Sequence, residues 1–264
     1  MLKYLMFLTI VFLSFHFTYN KEKQTIKDKQ EAVINQNKLH IYLLIGQSNM
    51  AGRAAISGSD ADTLKNVFLY TGIPGKEWEK AANPLNKYSS IRKDLSMQKL
   101  GPGYHFAKKM VAKDSQNSIG LVVNARGGTS ISEWKPGGHF YNEAVNRTKD
   151  AMKYGILKGI LWHQGESDVS GFDTYTSKIV NLIEAFRTDF NLPDLPVVVG
   201  QLSEDKPQRV HFNKMILQLP LYIEHVGVVK TENSNTTDST HFNRESQRLL
   251  GERYAMEMQK LLNL

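Results

Sequence analysis

The sequence predicts an α/β domain of three layers, an α/β/α sandwich built on a mostly parallel five-stranded sheet. Three observations lead there. Five short, nearly continuous apolar runs recur from Leu39 onward, the pattern of strands buried on both faces. Segments with apolar residues at helical spacing separate them, which implies βαβ units with right-handed crossovers and helices on both faces. The chain of 264 residues, 41% hydrophobic and 22% charged, can bury one sizeable core and shows no composition break after residue 39.

Taken in order, residues 1–20 open with Met1-Leu2-Lys3-Tyr4 and an apolar run from Leu5 to Phe17. That is the length of a signal-peptide core and short for a bilayer span, so the segment reads as a signal peptide or an uncleaved signal anchor. Residues 21–38, rich in Lys, Gln, Glu and Asn, read as a polar spacer, and the folded domain is expected over 39–264. This places the protein outside the cytoplasm: periplasmic, extracellular or on the cell surface.

The first strand, Leu39 to Ile45, runs into Gly46-Gln47-Ser48-Asn49-Met50-Ala51-Gly52-Arg53, a composition suited to a tight turn. Val67 to Tyr70 is a short strand candidate. Residues 71–100 contain Gly72, Pro74, Gly75 and Pro84 without a sustained period, and read as a long surface excursion. Gly101-Pro102-Gly103 opens a helix to Lys113. A second buried strand, Ser118 to Asn124, ends in Ala125-Arg126-Gly127-Gly128-Thr129-Ser130-Ile131, with a helix following at about 140–154. The third strand, Ile156 to Trp162, ends in His163-Gln164-Gly165-Glu166-Ser167-Asp168. A helix over Asp173 to Asp189, a fourth strand over Pro196 to Leu202, a helix near 208–219, a fifth strand over Val226 to Val229 and a last helix over Asn243 to Leu262 complete the chain.

Composition narrows the chemistry. The formal charge of +7 suits an anionic partner, but the lysines are scattered among acids with no basic block, so nucleic acid is not expected. The chain has no cysteine, which removes disulfides, thiol catalysis and cysteine-held zinc, and also a lipoprotein anchor after the apolar run. Neither a phosphate-binding loop nor a dinucleotide fingerprint occurs, and no cofactor is implied.

Three strand ends carry small polar clusters, and a fourth cluster, Asp238-Ser239-Thr240-His241, lies before the last helix. Open parallel sheets bind ligands beyond the carboxyl ends of their strands, where Ser48 falls. An acid three residues before a histidine on a turn can accept the imidazole Nδ1 proton and leave Nε2 facing a nucleophile. An ester-cleaving serine also needs donors for an oxyanion: the Ser48 N–H, a backbone N–H of Gly127-Gly128 and the Gln164 side-chain amide are available. Each cluster taken alone has a plainer use, Ser48 and Asp238 as helix caps, Gly127-Gly128 as a turn, Gln164 as a backbone-bonded loop residue. His163, Glu166 and Asp168 also form a conceivable metal ligand set, at a spacing that matches no motif with a known mechanism. No metal is assigned.

Together the four clusters, in this order over residues 46–241, resemble the SGNH (GDSL-like) hydrolase superfamily, with its flavodoxin-like sandwich. Within it the resemblance is to the sialate O-acetylesterase and acetylxylan esterase group, carbohydrate esterase family 6. The resemblance implies Ser48 as nucleophile, His241 as general base, Asp238 as its orienting acid, and Ser48, Gly128 and Gln164 as oxyanion donors. Gln164 stands where many superfamily members carry asparagine. Glu166 is implied either as a second acid for His241 or as a brace for its loop. Met50 breaks the G-x-S-x-G elbow of α/β-hydrolases, and the Asp–His gap is far shorter than theirs.

The implied substrate is an acetylated carbohydrate. Arg53 and Arg126 neighbour the serine and glycine clusters and can meet a sugar carboxylate, or else pair with Asp60 or Glu133. Trp134, close after the glycine cluster, can stack on a sugar face, as can Trp78, Tyr88 and Tyr104, unless they serve local packing. A glycan-binding protein with a degenerate site and a lipid or thioester hydrolase are the competing functions.

Overall fold

A computed structural model describes residues 38–114, 116–171 and 174–264. The expected signal segment, and the spacer up to residue 37, lie outside these residues. Among them the strands are β1 (Leu39–Gly46), β2 (Val67–Tyr70), β3 (Trp78–Lys80), β4 (Ser118–Ala125), β5 (Ile156–His163), β6 (Val197–Gly200) and β7 (Val226–Val229). The helices are α1 (Ser48–Ala51), α2 (Gly103–Lys113), α3 (His139–Ala151), α4 (Tyr175–Phe190), α5 (Pro207–Ile216) and α6 (Arg244–Leu261). None of the described helices is long and apolar enough to cross a membrane.

The sheet has seven strands in the order β3-β2-β4-β1-β5-β6-β7, not five. The short candidate at Val67 joins beside β4 in parallel. The seventh, β3, is a Trp-Glu-Lys edge strand folded back antiparallel onto β2, too short and polar to read as an apolar run within the expected excursion. All other pairings are parallel. Element ends differ modestly from expectation. The helix expected to run to 219 stops at Ile216, and Leu219–Leu221 forms a 3-10 turn around Pro220, which cannot continue an α-helix.

Successive side chains of β1 divide between two cores, as the two-residue strand period requires. Ile41, Leu43 and Ile45 pack with Tyr141 and Ala144 of α3, Ile179, Leu182 and Phe186 of α4, and Phe212 and Ile216 of α5. Tyr42 and Leu44 face the opposite layer, with Phe106 and Met110 of α2 and Leu250, Tyr254 and Met258 of α6. Fully burying each such side chain contributes about 1.5–3 kcal/mol.

Register positions the site. Gly46 is level with Ala125 of β4 and His163 of β5, so the residues that follow all three strands emerge together. The chain runs from β1 toward β4 on one side and toward β5 on the other. A crevice opens where sheet order reverses in this way.

Candidate active site

Gly46 ends β1 at φ +131°, and a Cβ there would lie 2.1 Å from the His163 carbonyl oxygen, so only glycine permits this approach of β1 to β5. The Gln47 N–H donates to that same oxygen at 2.9 Å. Ser48 then begins α1, so its own N–H has no partner within the helix. Its side chain meets a residue 193 positions later in the chain: Ser48 Oγ and His241 Nε2 are 3.0 Å apart.

His241 arrives on the turn before α6. Asp238 Oδ1 accepts the backbone N–H groups of Thr240 (3.1 Å) and His241 (2.7 Å), curling the turn through Ser239 at φ +60°. The second oxygen, Oδ2, lies 2.7 Å from His241 Nδ1. With Nδ1 donating to this carboxylate, Nε2 is the acceptor that faces the serine hydroxyl. Burial alone would raise the Asp238 pKa, but hydrogen bonds from the His241 ring and backbone outweigh it, and the group stays below its ordinary value.

The turn is gripped from two sides. Arg209 of α5 is buried and donates to the Ser239 carbonyl oxygen (2.8 Å) and Thr240 Oγ1 (3.0 Å). Asn49, next to the serine, donates to the Thr240 carbonyl oxygen (3.0 Å) and accepts the Phe242 N–H (3.1 Å).

Gly127 and Gly128 follow β4 on the other side of Ser48. A Cβ on Gly127 would lie 3.3 Å from Ser48 Cβ and 2.7 Å from Arg53 Nη2. Gly128 takes φ +76°, a conformation that favours glycine, with the Lys93 ammonium above it. No hydrogen bond among the described residues engages the N–H of Ser48 or of Gly128. Ser48, His241, Gly128, Arg53, Lys93 and Lys206 all line one open cleft.

The family described as carbohydrate esterase, sialic acid-specific acetylesterase (SASA), matches residues 38–260, nearly all of the described chain. The chain belongs to this family. A probable carbohydrate esterase from Arabidopsis thaliana is 32% identical over 238 residues, 80% of this chain and 86% of that one. A solved Arabidopsis thaliana structure superposes with a TM-score of 0.76 at 29% identity, over 85% of this chain and 98% of that one. A carbohydrate acetylesterase from Xanthomonas citri shares the fold, with a TM-score of 0.62 at 19% identity over 84% of this chain and 56% of its own.

Several site residues expected from sequence sit elsewhere in this family member. Gln164 is not an oxyanion donor. It is fully buried, with Nε2 donating to the Thr129 carbonyl oxygen (2.8 Å) and to Asp168 Oδ2 (2.6 Å), which engages both amide hydrogens. Trp134 is also fully buried, edge-on to Trp162 with ring centroids 5.3 Å apart, and offers no face to a sugar. Arg126 points away from the cleft, donating to the Ile91 carbonyl oxygen at 2.7 Å and lying over the Phe140 ring. Arg53 stays in the cleft, bonded to the Gly52 and Met97 carbonyl oxygens at 2.7 and 3.0 Å. Neither arginine pairs with Asp60 or Glu133: Asp60 holds His105 and Arg244, and Glu133 caps Ser130.

Glu166 lines the cleft but makes no hydrogen bond to His241; its Oε1 accepts from Asn49 at 2.6 Å. Burial raises its pKa, opposed by a backbone hydrogen bond, by the Asn49 hydrogen bond, and by the nearby charge of Arg209 and of His241 when it is protonated. The three members of the alternative metal set diverge. His163 pairs with Tyr254 (2.9 Å), and Asp168 accepts from Gln164 and from the Ile131 N–H (3.0 Å). Among the described residues no group of three or more His, Cys, Asp or Glu is placed to hold a metal ion.

Sequence reasoning missed Asn49, Arg209 and Lys93. Asn49 lay within the serine cluster, where its neighbour drew the chemistry. Arg209 and Lys93 carry no local signal, because only the folded chain brings them to the turn and the glycines.

Proposed function

We propose that this protein is an exported serine acetylesterase that removes acetyl groups from carbohydrates through an acyl-enzyme. The observation that carries the reading is the unbroken chain Ser48 Oγ–His241 Nε2 (3.0 Å) and His241 Nδ1–Asp238 Oδ2 (2.7 Å), whose serine and histidine line the cleft. Membership of a carbohydrate esterase family supports the ester and the sugar, and the resemblance to SGNH esterases supports the acetyl group. The leading apolar run supports export, to the periplasm, the cell surface or beyond.

Ser48 Oγ attacks the acetyl carbonyl carbon while His241 Nε2 takes its proton. Asp238 holds the imidazole in the required tautomer and faces the imidazolium that forms. The oxyanion lies between the free N–H groups of Ser48 and Gly128. Collapse expels the sugar alcohol, which takes its proton from His241. A water, deprotonated by His241, then attacks the acetyl-enzyme and releases acetate and free Ser48.

Arg53, Lys93 and Lys206 line the cleft, and none pairs with a carboxylate among the described residues. This supports a sugar that carries its own carboxylate, such as a sialic or uronic acid.

The test is a substrate panel on purified protein. p-Nitrophenyl acetate should be cleaved faster than the octanoate, and an O-acetylated acidic sugar faster than a neutral one. Ser48→Ala should remove about four or more orders of magnitude of turnover, as expected for loss of a covalent nucleophile. Equal turnover of the acetate by Ser48→Ala would refute the mechanism, and preference for octanoate would move the protein to lipid or thioester chemistry. Preference for the neutral sugar would remove the carboxylate reading alone.

A further inference from the structure

We propose that Asn49 is a positioning residue for His241, a clamp that grips the backbone on both sides of the general base and is itself fixed by Glu166. The proposal rests on the esterase reading for its kinetic consequence, not for its geometry.

Asn49 is 1% exposed and its amide is almost fully used. Nδ2 donates to the carbonyl oxygen of Thr240 (3.0 Å) and Oδ1 accepts the N–H of Phe242 (3.1 Å), so one side chain holds the residues immediately before and after His241. This orientation of the amide alone satisfies all its neighbours, since a flipped group would set Nδ2 against an N–H and Oδ1 against two oxygens. The remaining Nδ2 hydrogen goes to Glu166 Oε1 at 2.6 Å. The residue beside the nucleophile therefore fixes the turn that carries the base, and α1 sets both ends of the Ser48–His241 hydrogen bond.

Glu166 acts through this amide. Its other oxygen, Oε2, is buried without a hydrogen-bond partner among the described residues, and neither oxygen bonds to His241. What Asn49 needs from position 166 is an acceptor oxygen, which a glutamine also supplies. A direct electrostatic role toward His241 would instead need the negative charge. The two roles separate under mutation.

The test uses Asn49→Ala, Glu166→Gln, Glu166→Ala and the Asn49→Ala/Glu166→Ala double variant of the full-length protein. Turnover is expressed per Ser48 labelled by an organophosphate, so that misfolded molecules drop out. The proton between His241 Nδ1 and Asp238 Oδ2 is followed by NMR. Misplacement of about 1 Å can cost on the order of 10²-fold, so Asn49→Ala should lower kcat per labelled serine about 10- to 100-fold, with KM within about three-fold. The His241 proton should shift or broaden. Glu166→Gln should stay within about three-fold of wild type, and the double variant should be no worse than Asn49→Ala, because the two act as a unit. Where the alanine variant does not fold, Asn49→Asp replaces it. It should be impaired by its carboxylate–carboxylate contact and partly rescued by adding Glu166→Gln, which restores a hydrogen bond of reversed polarity.

Unchanged kcat per labelled serine in Asn49→Ala, an unmoved His241 proton, or a greater loss in Glu166→Gln than in Asn49→Ala would each overturn the clamp. Wild-type protein that cleaves no acetyl ester would instead sink the esterase reading. In that case the His241 proton alone still decides the clamp.

Discussion

One oxygen of Asp238 organises its own turn while the other meets His241 Nδ1 at 2.7 Å, so a single side chain sets both the path of the backbone and the tautomer of the base. Asparagine at this position keeps an oxygen for one task and can offer only an N–H to the other. Asp238→Asn therefore leaves the turn intact and presents the wrong imidazole tautomer to Ser48. In a serine protease triad the corresponding change costs on the order of 10⁴ in turnover, and a loss of that order is expected here with KM little changed. Activity within ten-fold of wild type would transfer the orienting role away from Asp238. Why Asp238 was legible and Asn49 was not is a matter of range. An acid and a histidine three positions apart announce a local contact. Asn49 contacts Thr240, Phe242 and Glu166, which lie more than a hundred positions away. Gln164 shows the reverse case: an amide at the right strand end, drawn inward by Thr129 and Asp168, which the sequence did not reveal as its partners.

At the scale of elements, α6 carries the base turn at its amino end and packs along α2. Asn243 caps it, accepting the Ser246 N–H at 2.9 Å, two residues after His241. The two helices approach closely at Gly251, where a Cβ would lie 2.4 Å from the Pro102 carbonyl oxygen and 2.8 Å from His105 Cβ. Backbone cannot retreat from such a contact without moving a helix. Gly251→Ala should gain up to about 1 kcal/mol of helix propensity yet lose more to overpacking, for a net cost of about 1–2 kcal/mol. Chemical denaturation reads this directly, and a variant as stable as wild type would show that the helices part without strain. The long parallel strands were legible because burial on both faces makes their sequences almost wholly apolar. β3 was not, since one hairpin-paired edge of three residues leaves no periodic trace. The helix expected to reach 219 shows that amphipathic spacing locates a helix better than its end, which Pro220 decides.

At the scale of the whole molecule, the strand ends that form the cleft are braced from within by a neutral histidine. His163 ends β5 under the Ser48 turn, fully buried, and its carbonyl oxygen receives Gln47. Tyr254 donates its hydroxyl hydrogen to the Trp162 carbonyl oxygen at 3.0 Å, so His163 Nδ1 must donate to Tyr254 Oη at 2.9 Å. Nε2 is then the unprotonated nitrogen, and it has no partner among the described residues. Protonation would bury a charge with nothing to receive it, and burial accordingly holds the His163 pKa down at about 4. The unfolded chain, titrating near 6.5, takes up this proton first as pH falls. Stability from His163 is therefore complete above about pH 6.5 and lost progressively down to about pH 4, to a total of about 3 kcal/mol. Burial shifts His40 and His105 in the same direction, while the raised Glu166 opposes them on the acid side. The contribution of His163 is isolated by His163→Asn, whose amide can still donate toward Tyr254 but cannot become charged. Urea unfolding at pH 8 and at pH 5 should show wild type losing more stability than this variant, by about 2 kcal/mol of the linkage expected from one buried histidine. Equal losses in the two proteins would mean that His163 binds its proton as readily folded as unfolded, and that the strand ends under Ser48 are open to water.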